Sequence, residues 1–182
     1  MRYWKFLFAA VGWLCLLAWL AAYRHGGSKR ALDYAQAAIV IPLGPGEVLP
    51  ASDQRRAMWS GWWSPDRDGV RLSTSRSPDI LFRWTHAAAA CDLSIAAFPK
   101  LAPGQRAQPL YARINGAPFV GPVEVAADGT YRLRGVGAVG SELNVLTLWL
   151  PQAQRMHPKD ERTLALGVRS VSLACDGDAP ET

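Results

Sequence analysis

At 182 residues, with a net charge of +5 and 19% charged residues, the chain has room for one ordinary domain plus an anchor or tail. Its basic residues are scattered and never form a block, so the electrostatic footprint of a nucleic-acid binder is missing and no such partner is expected. The 49% hydrophobic fraction is inflated by the N-terminus, and the rest reads as a normal water-facing domain punctuated by proline and glycine, of which the whole chain has 13 and 16.

Residues 1–23 are expected to form a transmembrane anchor. The run 6–23, FLFAAVGWLCLLAWLAAY, carries no charge. As a helix it would reach ~27 Å, close to the ~30 Å hydrocarbon core. Trp4, Trp19 and Tyr23 lie near its ends, where amphipathic rings prefer the interface. The competing reading is a cleaved signal peptide. Arg2 and Lys5 suit one, but the apolar run exceeds the usual ~7–15 residues. The exit Leu20-Ala21-Ala22 also lacks a small residue three before the cut. Cys15 follows Gly12-Trp13-Leu14, the wrong shape for lipidation, and reads as a small apolar packing residue. Flanking charge does not orient the helix, because Arg2 and Lys5 are balanced by Arg24, Lys29 and Arg30.

Residues 24–37 read as a polar neck, 38–176 as a β domain and 177–182 as a flexible tail. Strand-like segments follow one another at short intervals: 38–43, 70–73, 80–84, 91–98, 109–114, 130–133, 143–150 and 163–175. In 109–114, Leu110, Ala112 and Ile114 share one face, with Tyr111 and Arg113 on the other. Asn115-Gly116 and Asp128-Gly129 are hairpin signals. Residues 87–90 are helix-friendly but too short for a helix, and read as a connecting loop. About eight to ten short strands with tight turns predict an all-β fold, a jelly-roll-like β-sandwich behind one N-terminal transmembrane helix.

Cys91 and Cys175 sit on the same parity as inward-looking Leu93, Ile95, Val171 and Leu173. If their strands are antiparallel neighbours, the start of one lies opposite the end of the other and the sulfurs can bond. Two independent buried thiols are the alternative. A bridge would imply an oxidising compartment. On that basis the domain is expected on the outer side of the membrane, behind a single pass.

Catalytic constellations are hard to find. His25, His86 and His157 have no metal-ligand spacing, and Cys-x-x-Cys, Gly-x-Ser-x-Gly and Gly-Lys-Ser/Thr do not occur. Neither catalytic residues, a metal nor a cofactor is expected, and the chain is not expected to be an enzyme. Asp66 and Asp68, two apart in a Gly/Pro-rich turn, fit turn formation better than glycoside hydrolysis. The informative stretch is 59–73, WSGWWSPDRDGVRLS, with three tryptophans in five residues next to Asp and Arg. Trp62, Trp63, Asp66 and Arg71 are the candidate ligand-binding residues: indole faces suit sugar rings, and Asp and Arg suit hydroxyls. The competing role is structural, with one or two rings capping the core. Trp84 and Trp149 read as core or interface residues.

At this stretch the chain resembles a β-sandwich domain attached to membrane-bound bacterial glycan-assembly proteins, such as sugar and phosphoglycerol transferases. That domain shows a Gly-Trp-Ser-x-Pro-Glu element followed by Gly-x-Trp-Ser. Here Gly61-Trp62-Trp63-Ser64-Pro65-Asp66 precedes Gly69-Val70-Arg71-Leu72-Ser73. A strand ending in Asn115-Gly116 and a closing stretch at 160–167 also match, and the resemblance covers 38–174. Asp66 replaces the usual Glu and Leu72 the second Trp. The resemblance implies the sandwich fold and a glycan or glycolipid ligand. It implies no catalysis, because no transferase domain is present. Two expectations follow: a membrane-anchored, non-catalytic accessory protein that binds a glycan or glycolipid, or a structural accessory subunit docking on a larger membrane protein complex.

Overall fold

The computed structural model describes residues 42–44, 46–155 and 163–176. The anchor at 1–23, the neck at 24–37 and the tail at 177–182 lie outside the described residues. Among those described, no helix is long and apolar enough to cross a membrane.

Among the described residues twelve strands follow in order: β1 (Val48–Pro50), β2 (Ala57–Ser60), β3 (Arg71–Leu72), β4 (Asp79–Arg83), β5 (Ala88–Pro99), β6 (Gln108–Ile114), β7 (Val120–Val125), β8 (Gly129–Val139), β9 (Leu143–Trp149), β10 (Gln154–Arg155), β11 (Thr163–Leu164) and β12 (Leu166–Cys175). One sheet runs β1-β12-β5-β8, with β3 also on β12, and the other runs β2-β4-β9-β6-β7. All named pairs are antiparallel. Setting aside the short β2, β3, β10 and β11, the strand orders 1-12-5-8 and 4-9-6-7 are those of a double-sheet jelly roll.

Period-2 alternation builds the core. Leu93, Ile95 and Ala97 of β5, with Val168, Val171 and Leu173 of β12, face Ile80 and Phe82 of β4, Leu110, Ala112 and Ile114 of β6, and Leu146 and Leu148 of β9. The apolar crevice lined by Leu49, Phe82, Trp84 and Leu173 measures about 10 Å³. That is water-sized at most, with no room for an acyl chain.

A disulfide between Cys91 and Cys175 cross-links two neighbouring strands within one sheet. The two cysteines are direct register partners on β5 and β12, as the shared parity of their neighbours anticipated.

Local structure departs from the sequence expectation in two places and meets it in one. Asn115-Gly116 does turn β6 into β7, with φ of 50° and 77°. Asp128-Gly129 does not make a hairpin, because β7 and β8 belong to different sheets and the connection crosses the sandwich. Residues 88–90 are the start of β5 rather than a loop. There the alanines continue a strand that β8 pairs from Ala88 onward, and pairing overrides weak helix propensity.

Gly167 on β12 lies beneath the Phe98 ring of β5. Phe98 is in turn flanked by Lys100 Nζ at 5.1 Å and the Arg169 guanidinium at 5.0 Å. Arg169 also pairs with Asp128, a bond that holds its pKa above the usual arginine value. A methyl group at 167 would fall within the ring's contact radius. Gly167→Ala is therefore expected to displace Phe98 and cost ~1–3 kcal/mol, read as a shift in urea midpoint with an unchanged slope.

Candidate functional site

The tryptophan-rich stretch folds into a corner that ties the two sheets together. After β2 the chain turns at Gly61, whose φ of 78° and 2.7 Å clearance to Ser75 Oγ leave no space for a side chain. Trp62 then bridges to Ser73, and its indole N–H donates to the Asp79 carbonyl at 3.2 Å. Its ring packs edge-on against Trp59, with centroids 5.4 Å apart, and is 8% exposed. The Asp66 carboxylate accepts the amides of Asp68 and Val70 at 2.9 and 2.8 Å, closing the turn that leads into β3. Ser73 completes the junction: its hydroxyl accepts the amides of Ala165 and Leu166.

Arg71 is 6% exposed and lies 5.2 Å from the centroid of the Trp59 ring. Its Nε donates to the Ala51 carbonyl at 2.6 Å and its Nη1 to the Trp63 carbonyl at 2.9 Å. Burial lowers its pKa from the usual arginine value. The guanidinium stays charged all the same and acts as a staple between two backbone segments. Arg71→Met keeps the bulk but strands both carbonyls, and is expected to lower stability by ~2 kcal/mol in urea unfolding.

The four sequence candidates therefore divide. Trp62 and Arg71 are buried and bonded within the corner, whereas Trp63 (39% exposed) and Asp66 reach the surface. This arrangement accounts structurally for the spacing of the whole stretch: a glycine turn, an edge-on indole pair, an aspartate-closed loop and a serine clip.

A second surface lies on the outer face of the sheet β2-β4-β9-β6-β7. Strand register lays its side chains out in rows. In the first row, Tyr111 of β6 is opposite Trp149 of β9. Their rings are 4.8 Å apart, and Phe119, just before β7, adds a third ring 5.8 Å from Trp149. In the next row Arg113, Thr147 and Asp79 stand side by side on β6, β9 and β4. The Arg113 guanidinium lies 4.3 Å from the Phe119 centroid. In the third row Leu81 and Val145 are partners, and with Leu143 they form an apolar cluster separate from the core.

Trp149 is 39% exposed, and its indole N–H bonds to no described residue. The platform thus offers ring faces next to a polar row, an arrangement that suits a ligand with one apolar and one hydroxylated side. Sequence alternation placed Tyr111 and Arg113 on the outer face. The segment LNVLTLWL is too apolar for periodicity to show which face is dry, so sequence alone does not separate a core from an interface role for Trp149. Trp84, of the same reading, is indeed core at 1% exposure.

Among the described residues, no group of three or more His, Cys, Asp or Glu side chains could hold a metal. His86 is exposed and bonded to Thr85.

No known protein-family profile matches the sequence, and no curated protein does. Several solved structures match in shape. A β-1,3-glucan-binding CBM6 from Bacillus halodurans is 12% identical, with a TM-score of 0.40 over 74% of this chain and 100% of that one. A GH26-CBM35 β-(1,4)-mannanase from Podospora anserina is 14% identical, with a TM-score of 0.48 over 74% of this chain. A family two carbohydrate esterase from Cellvibrio japonicus is 9% identical, with a TM-score of 0.42 over 71%. This chain spans only 28% of the mannanase and 33% of the esterase.

Proposed function

We propose that this chain is a non-catalytic accessory protein whose jelly-roll domain binds a glycan or glycolipid. The observation that carries the reading is the ring platform of Trp149, Tyr111 and Phe119 on the outer sheet face, beside the polar row of Arg113, Thr147 and Asp79. Sugar rings have apolar faces for indole and phenol to cover, and hydroxyls at their edges for the polar row. The buried corner of Trp62 and Arg71 then serves to hold Trp63 and the loop of Asp66 in place. The proposal keeps the membrane anchor at 1–23 and a periplasm-facing domain in a bacterial inner membrane. The Cys91–Cys175 bridge supports that placement, because such bonds persist in oxidising compartments.

The test is a glycan array with the full chain held in a non-glycosidic detergent, followed by titration of the best hit. Binding lost in Trp149→Ala supports the platform. Silence across the array would refute it.

A second reading, a structural subunit docking on a larger membrane complex, is favoured by one observation. Leu81, Leu143 and Val145 form an apolar cluster on the same outer face. Purification from native membranes discriminates, since a lone monomer argues against this reading.

A further inference from the structure

We infer that the glycan met by this platform is acidic, and that Arg113 recognises its anionic group. The inference rests on the glycan-binding reading above and names the ligand class for the same site.

Three observations lead to it. Arg113 projects from β6 two residues beyond Tyr111, on the same outer face, so its guanidinium borders the aromatic row. It packs on Phe119, with its guanidinium carbon 4.3 Å from the ring centroid. Finally, Arg113 makes no hydrogen bond or ion pair with any described residue, and its Nε is cut off from water without an acceptor.

A shielded, unpaired guanidinium nitrogen is costly and uncommon in a folded protein. The other arginines packed on rings here are better satisfied: Arg71 donates to two carbonyls, and Arg169 pairs with Asp128. The charged side chains that share the face by strand register are Asp79, across Thr147, and Arg83, opposite Leu143. Glu124 lies opposite Pro109 at the far side of Tyr111. None of them is bonded to Arg113.

The guanidinium is a planar fork of donors that matches a carboxylate or a tetrahedral oxyanion with two parallel bonds. Packed on Phe119, it has lost part of its rotamer freedom before any ligand arrives, so less remains to be lost on binding. Nε is closed to a ligand as it is to water, so a sugar stacked on Trp149 and Tyr111 and bearing an exocyclic anion toward the second row would pair with the terminal Nη groups of this half-buried side chain. The shared chemistry is a negatively charged substituent, whether a uronate carboxylate, a sulfate or a phosphate ester.

The experiment is isothermal titration of the full chain, in non-glycosidic detergent at low salt. The probes are four oligosaccharides of matched length: an oligogalacturonate, a sulfated oligogalactan, a glycerophosphate-substituted oligogalactan and the neutral oligogalactan. At least one acidic probe is expected to bind tenfold or more tightly than the neutral one, and which one does so identifies the anion. Arg113→Gln should reduce that preference to less than twofold. Arg113→Lys should keep part of it. Raising the salt should narrow the preference in the unmodified protein and leave Arg113→Gln unaffected.

Equal affinity for neutral and acidic probes, or a preference that survives Arg113→Gln, would overturn this inference and leave glycan binding intact. Binding of none of the four by a protein that still melts cooperatively would overturn both. If Arg113→Gln lowers the melting temperature, Arg113→Lys carries the comparison, and an unchanged preference ratio across the two variants overturns the inference.

Discussion

Replacing Cys91 and Cys175 together with alanine is expected to lower the unfolding free energy by ~4–5 kcal/mol. The two residues are separated by 84 positions, so in the chain-entropy model the bond restrains most of the domain's unfolded ensemble. Both strands it joins are central to their sheet. β12 pairs with β1 and β3 on one side and β5 on the other, and β5 continues to β8. The loss should appear in urea unfolding as a lower midpoint. The slope should fall in the oxidised protein relative to the variant, because a cross-linked chain exposes less surface on unfolding. Reductant should bring the unmodified protein to the variant's curve and leave the variant unchanged. A midpoint indifferent to reductant would show that the bridge contributes nothing to stability.

The second large effect is on binding. Trp149→Ala is expected to weaken glycan affinity at least thirtyfold, equivalent to ~2 kcal/mol or more, the loss typical of a central aromatic anchor. Stability should change little, since Trp149 is 39% exposed and contacts two neighbouring rings rather than the core. Tyr111→Ala should cost less, because its ring lies lower on the face and also supports Trp149. The pair should be non-additive, as expected for residues in contact. Trp62→Ala supplies the opposite pattern. With 8% exposure and an indole bond to the Asp79 carbonyl, it should destabilise the domain. A Trp62 variant that folds normally yet loses binding would return the site to the corner.

Much of the sandwich could be read from residue order alone. Strands with clean alternation were legible because a half-buried strand has period two: 91–98 became the centre of β5, and 109–114 became β6 almost to the residue. β1, β2 and β7 were not. β1 has three residues and β2 four, too few to show a period. β7, VGPVEV, is interrupted by glycine and proline, which edge strands tolerate and which sequence reading takes as a break.

The candidate site was legible in a different sense. Composition drew attention to 59–73, where residue types were unusual. The cause of that concentration is a corner joining β2, β3 and β12, with Arg71 and Ser73 bonding to backbone from elsewhere in the chain. The platform was hidden because Tyr111, Phe119 and Trp149 are scattered over 39 positions and meet only through the β6–β9 register. Residue type marks an aromatic cluster in sequence, but pairing across strands makes one in space.

Leu43 bonds to the backbone at Arg83 and Thr85, at the end of one sheet, before β1 adds to β12 in the other. Tension arriving along the chain from residues before 42 would therefore load two hydrogen bonds at Leu43 first, and the three-residue β1 second. β12 itself would be shielded, because it is clamped to β5 by the bond at Cys175. Under such a pull the domain would let out a few residues of slack, like a strain-relief loop on a cable, while the face carrying Trp149 kept its shape.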